Sequence, residues 1–180
     1  AGTASSRLRR SGGRSPSSWS TDATGRSISR RSRSTGSRPD GASWSATSTD
    51  GTGFLQALAH RGFSDFSSVL ILGAGGTARA IAAALDGVAD SITVLGRTSS
   101  REASFNEIVT ESQFSYVIWS NAFSLEQFSL VVNTTPAGAA DLLAEGIDGG
   151  ITSLLFDVIY KPWPTVLASA WEDRCSEYSR

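Results

Sequence analysis

A doubly wound α/β fold with a parallel sheet is predicted for this chain by three observations. Short apolar runs alternate with helical stretches over residues 67–171. A Gly-rich turn joins the first of those runs to the helix after it, and a second apolar run follows at the spacing of a βαβ unit. In front lies a segment of another character. Residues 1–39 are dominated by Ser, Arg and Gly, with Leu8, Trp19 and Ile28 as the large apolar exceptions. Such a segment cannot bury enough surface to offset its ordering entropy, and it is expected to be disordered or poorly packed.

Residues 40–66 read as a connection. Asp40-Gly41 is a turn signal before Trp44, and residues 43–49 are the return strand of a hairpin in this reading. Phe54, Leu55 and Leu58 fall at helical spacing within residues 53–61, and Gly62 supplies a stop. The α/β domain occupies residues 67–171. Its first strand is SSVLIL at 67–72, its first helix the Ala-rich stretch 77–85 closed near Gly87, and its second strand SITVL at 91–95. The crossover between the two strands is expected to be right-handed. Further buried strands are expected at 117–119, 130–133 and 153–158, with helical stretches at 101–109 and 124–128; residues 172–180 form a tail.

The chain has 180 residues, one domain's worth, and a net charge of -1 that hides a split. Residues 1–49 hold nine Arg and two Asp, a balance of +7, and the remainder carries -8. With one cysteine, Cys175, and one histidine, His60, an internal disulfide framework and a Cys-based zinc site are excluded, and no metal is expected. No apolar run reaches the roughly 18 residues of a membrane span, and no charged-then-apolar leader opens the sequence, so the default location is cytoplasmic. The sequence begins at Ala1 and contains no Met, which suggests a fragment or processed product.

The chemistry is written in the glycine run. Gly73-Ala74-Gly75-Gly76-Thr77-Ala78 fits G-x-G-x-x-A between a strand and a helix, the context of a dinucleotide site. Gly73 permits the tight turn, Gly75 lets a pyrophosphate approach the backbone, and Ala78 keeps helix and sheet close. The helix N-terminus attracts the anion. The competing reading is an ordinary Gly-rich turn. At the end of the second strand, where a carboxylate would select NAD, the sequence has Gly96-Arg97-Thr98-Ser99-Ser100-Arg101. Arg97 lies 22 positions after Gly75, placed to pair bidentately with a 2'-phosphate, with Thr98 and Arg101 nearby. NADP is therefore favoured over NAD. The competing reading of Arg97 is a solvated loop residue.

Five blocks in order and spacing then resemble shikimate dehydrogenase: STDGTGF at 48–54, VLILGAGGTARA at 69–80, GRT at 96–98, VVNTTPAG at 131–138 and FDVIYKPWPTVLA at 156–168. The resemblance covers residues 40–171, the family's interdomain connection and NADP-binding domain, and implies a Rossmann-like fold. It implies reduction of 3-dehydroshikimate to shikimate with NADPH, in aromatic amino-acid biosynthesis. The resemblance places Gly73, Gly75 and Gly76 on the pyrophosphate and Arg97, Thr98 and Arg101 on the 2'-phosphate. Asn133, Thr134, Thr135, Pro136 and Ala137 line the cofactor cleft, and Tyr160 sits by the nicotinamide and the small-molecule substrate.

The family protonates the carbonyl oxygen with a Lys and Asp pair. Asp50 matches the Asp, although Ser48 stands where the family has Asn, and an Asp at that place also suits a turn or helix N-cap. The only lysine, Lys161, lies in the KPWPT block and does not match the family's catalytic Lys, which belongs to a substrate domain that residues 1–39 do not resemble. The family's C-terminal helix with its substrate-facing Gln is replaced by EDRCSEYSR. Fifteen Arg to one Lys suits GC-rich coding DNA, and residues 1–39 have the composition of a shifted reading frame. The expectation is an NADP-dependent shikimate dehydrogenase by resemblance, impaired in this form, with a non-catalytic NADP-binding module as the alternative. A nucleic-acid tether in the Arg-rich arm ranks last, for want of interleaved aromatic residues.

Overall fold

The computed structural model describes residues 49–147 and 150–175, and the strand backbones at 20–21, 27–28, 33–37 and 43–47. In the N-terminal region β1 (Ser20–Thr21) pairs antiparallel with β2 (Ser27–Ile28), and β3 (Arg33–Ser37) with β4 (Ser43–Thr47). The hairpin return strand expected after Asp40-Gly41 is therefore present, with Gly36 opposite Trp44. Neither strand pair joins the main sheet. The rest of the expectation for residues 1–39, the Arg-rich tether included, and most of the tail at 172–180 lie outside the described residues.

From Asp50 the elements follow as α1 (Asp50–His60), β5 (Ser68–Leu72), α2 (Gly76–Leu85), β6 (Ser91–Gly96), α3 (Glu102–Asn106) and β7 (Gln113–Ile118). Then come β8 (Leu130–Asn133), α4 (Asp141–Ala144), β9 (Leu154–Asp157) and α5 (Val166–Arg174). Strands β5 to β9 form one parallel sheet in the order β7-β6-β5-β8-β9. This is the Rossmann-like doubly wound arrangement the sequence predicts.

The two central strands read as unbroken apolar runs because helices cover both faces. In β5 and β8 the side chains alternate between two cores. Val69 and Ile71, with Leu130 and Val132, face Phe54, Leu58, Ile81, Leu85 and Phe105. Leu70, Leu72 and Val131 face Leu143, Leu167 and Trp171 on the other side. Helix α1 joins the first core by close approach to α2: a Cβ on Gly51 would lie 2.6 Å from the Ala80 carbonyl oxygen and 2.8 Å from Ala84 Cβ. Phe54 meets Phe156 of β9 edge-on at 4.9 Å.

Three local expectations differ from the structure. The stretch expected to be helical from residue 101 is a 3-10 turn, Ser99–Arg101, followed by the short α3. The third strand runs from Gln113 to Ile118 rather than over 117–119: a criterion of apolar runs passes over the polar-apolar alternation of Gln113 to Tyr116, which suits a half-buried edge strand. Residues 124–128 form turns, because Ser124 spends its hydroxyl on Glu126 and its carbonyl on Gln127 Nε2, local bonds that compete with a helix.

Candidate functional site

The chain fills β6 and β7 on one side of β5, then returns past it to fill β8 and β9. Loops leaving the C-terminal ends of β5 and β8 thus diverge, and a crevice opens between them. Almost all the sequence-predicted site residues fall along this edge of the sheet.

Gly73 follows β5 with φ +99°, a conformation that favours glycine. A Cβ there would stand 2.9 Å from Thr134 Oγ1 and 3.3 Å from Thr135 Cγ2, so the glycine also lets the loop after β8 approach. Its N–H donates to the Leu95 carbonyl at 2.9 Å, and Thr134 donates from both N–H and hydroxyl to the Leu72 carbonyl, at 3.0 and 2.7 Å. The first turn, the end of β6 and the loop after β8 are thereby joined.

Beyond Ala74, Gly75 is the N-cap of α2 in extended backbone. The first bond of the helix runs from Arg79 N–H to the Gly75 carbonyl. The N–H groups of Gly76, Thr77 and Ala78 have no intrahelical acceptor, no side chain caps them, and no acid lies in the first turn. A Cβ on Gly75 or Gly76 would meet nothing within 4 Å. Unopposed donors, a helix dipole and open space in front of them fit the pyrophosphate of a dinucleotide. Ala78 is fully buried against the sheet and keeps α2 close to it.

At the end of β6, Arg97, Thr98 and Arg101 are all exposed on one turn. Thr98 Oγ1 and Ser100 Oγ are 2.8 Å apart. Beneath this turn is a residue that motif reasoning missed. Tyr116 of β7 donates its hydroxyl to the Thr98 carbonyl at 2.8 Å, and a Cβ on Gly96 would overlap the Tyr116 hydroxyl and ring. Burial, and then the charge of Glu102, raise the Tyr116 pKa above its ordinary value, with Arg101 acting the other way. The hydroxyl therefore stays protonated and able to donate. The glycine ending β6 was the available signal, because a missing side chain beside an aromatic strand residue marks a place for its ring.

Asn133 is 1 % exposed, and its amide is engaged within the protein. Its Oδ1 accepts from the N–H and the hydroxyl of Thr135, at 3.1 and 2.7 Å, and its Nδ2 donates to Asp157 Oδ2 at 3.1 Å. Asp157 also accepts from Ile159 N–H and the Thr165 hydroxyl, and Thr165 caps α5 by accepting from Ala168 N–H. Asn133 thus shapes the loop of Thr134, Thr135, Pro136 and Ala137 and ties it to the KPWPT block. Asp157 and Thr165, which the motifs did not single out, complete that tie. In the same block Tyr160 is 90 % exposed, after β9 at the same edge of the sheet.

Asp50 is exposed in the first turn of α1, with the neighbouring Gly51 packed on α2. Lys161 is exposed in the loop after β9. A cavity of about 620 Å³ lies elsewhere, between the end of α1, the outer side of β9 and α5. Phe63, Ser153, Trp163, Trp171 and Cys175 are among its lining residues, and none of residues 73–78 or 97–101 is. Burial, with Glu172 adding to it, pushes the Cys175 thiol up. The unopposed donors of α2 lie outside this cavity. Among the described residues no helix is long and apolar enough to cross a membrane.

No family model matches the chain. It is 35 % identical over 134 residues to the shikimate dehydrogenase (NADP(+)) of Exiguobacterium sibiricum, covering 71 % of this chain and 47 % of that protein. It is 38 % identical over 135 residues to the corresponding enzyme of Thermosynechococcus vestitus, covering 69 % of this chain and 47 % of that one. Among solved structures, a shikimate 5-dehydrogenase from Mycobacterium fortuitum superposes with a TM-score of 0.61 at 28 % identity, over 78 % of this chain and 52 % of the other. The chain spans about half the length of the curated relatives it matches.

Proposed function

As a homologue of the C-terminal, NADP-binding part of shikimate dehydrogenases, this chain is, we propose, an NADP(H)-binding oxidoreductase unit of that kind. The observation that carries the reading is the uncapped N-terminus of α2, facing open space behind a glycine that cannot be replaced without strain. In this reading Gly73, Ala74, Gly75, Gly76, Thr77 and Ala78 hold the pyrophosphate, and Arg97, Thr98 and Arg101 hold the 2'-phosphate. Two guanidiniums on one turn suit a dianionic group, and residues 96–101 hold no carboxylate to accept from a free ribose hydroxyl. The 134–137 loop, held by Asn133, walls the cleft, and Tyr160 screens its far end. When bound, NADPH supplies the hydride that converts 3-dehydroshikimate to shikimate.

The remaining need is a proton for the carbonyl oxygen. Asp50 is the residue we assign to that relay, but the sequence offers it no lysine except Lys161, which extends from the nucleotide-binding unit into solvent. The 180-residue chain therefore binds NADP(H) and turns over slowly, since general acid-base help contributes roughly 10²- to 10⁴-fold and orientation of the substrate more. In the second reading the chain is a binding module without catalysis, favoured by the lack of a lysine that matches the family's catalytic one. We place its work in the cytoplasm, in aromatic amino-acid biosynthesis.

The test is steady-state oxidation of shikimate with NADP by the purified chain, with Asp50→Asn as control. The proposal expects slow turnover that falls further in the variant. Turnover indistinguishable from the buffer, with NADPH still bound, would favour the module; no binding of either nicotinamide cofactor would overturn both readings.

A further inference from the structure

We propose that Tyr116, paired with Gly96, is the positioning residue that fixes the cofactor preference of this site; the inference rests on the NADP reading above. Tyr116 lies on the edge strand β7, in register with Val94, two residues before Gly96. Its ring occupies the volume that a side chain at Gly96 would fill, so it passes over the end of β6 to reach the Thr98 carbonyl. On the way it contacts Phe105 of α3, with ring centroids 6.0 Å apart. One side chain thus links the last residue of β6, the middle of the loop and the helix that follows.

Trp119 N–H donates to the Gly96 carbonyl at the start of the loop, Glu102 N–H closes the 3-10 turn on the Ser99 carbonyl, Ser104 donates to the Arg101 carbonyl at its end, and the hydroxyls of Thr98 and Ser100 pair with one another. Bringing both Arg97 and Arg101 to one phosphate restricts two long side chains and the loop backbone. A loop already held by Tyr116 loses less freedom when the phosphate arrives. The same ring also bars one position to a carboxylate: a side chain at position 96, the last residue of the second strand, cannot coexist with Tyr116 as it stands. Gly96 and Tyr116 therefore act together: the glycine admits the ring, and the ring holds the arginine loop.

The experiment titrates NADPH and NADH separately into the full chain, its Tyr116→Phe variant and its Gly96→Ala variant, and follows amide hydrogen exchange in the cofactor-free proteins. Tyr116→Phe keeps the ring and loses only the hydroxyl. It should weaken NADPH by roughly 3- to 10-fold, the value of one neutral hydrogen bond, leave NADH unchanged, and speed exchange at residues 97–101 but not in β5. Gly96→Ala, which displaces the ring, should shift the preference in the same direction. A wild-type preference for NADPH whose ratio to NADH is unchanged in Tyr116→Phe would overturn the inference and leave the NADP reading intact. Equal weakening of both cofactors would also overturn it, since that is what a general structural role produces. A wild-type chain with no preference would overturn the NADP reading and this inference together.

Discussion

Gly75→Val separates what the glycine run does for the fold from what it does for a ligand. Gly75 has φ -84° and ψ -169°, extended backbone open to any residue, and a Cβ there meets nothing within 4 Å. The substitution should leave thermal stability within roughly 1 kcal/mol, the difference between a good and a poor N-cap residue. In the bound state the same side chain enters the space in front of the Gly76, Thr77 and Ala78 N–H groups. Losing two charge-assisted hydrogen bonds at about 1.5 to 3 kcal/mol each removes roughly 3 to 6 kcal/mol, a weakening on the order of 10²- to 10⁴-fold. Calorimetric titration with NADPH, beside a melting curve of each protein, measures both quantities. Retained affinity in a folded variant would refute the assignment of the α2 N-terminus to the pyrophosphate and leave the run as a turn.

Arg97→Ala should weaken NADPH by about 1.5 to 3 kcal/mol and NADH hardly at all, in parallel titrations, because only NADPH presents a 2'-phosphate. Gly51→Val should destabilise the chain by roughly 1 to 3 kcal/mol in denaturant unfolding, since its side chain enters a contact with Ala80 and Ala84 of α2 that already leaves no room for a Cβ. Asp65 accepts from Ser67 N–H, which holds its carboxyl below the ordinary value of 3.8. Its contribution to stability is thus present above that value and lost as pH falls through the lower, folded one; melting curves of Asp65→Asn and wild type should converge at the acid end, and the gap should be small because the group is exposed.

Much of this architecture was legible because few alternatives satisfy the sequence. The runs at 67–72 and 130–133 are apolar on both faces, which only a sheet covered on both sides accommodates, and Gly73 sits where the chain must turn sharply between β5 and α2. The crevice residues followed from the same turn. What escaped sequence reasoning depends on contacts distant along the chain. Tyr116 and Gly96 are neighbours only through strand pairing, and the Asn133, Asp157 and Thr165 bonds join residues up to 24 positions apart, so beyond the glycine that ends β6 no local pattern announces them. The short α4 at 141–144 was missed for the opposite reason, since four residues carry too little periodicity to register. The 124–128 stretch was over-read as a helix because its apolar residues have helical spacing while its Ser and Glu bond locally.

The most direct test of the central claim is an amide chemical-shift titration of the isotope-labelled chain with NADPH. Perturbations are predicted to concentrate at residues 73–78 and 97–101, and NADH at the same concentration should leave residues 97–101 largely unmoved. Shifts gathered instead around residues 61–63 and 152–155 and at Trp171, Glu172 and Cys175, which line the cavity beside β9, or no saturable shifts at all, would contradict the placement of the cofactor at the end of β5 and β6.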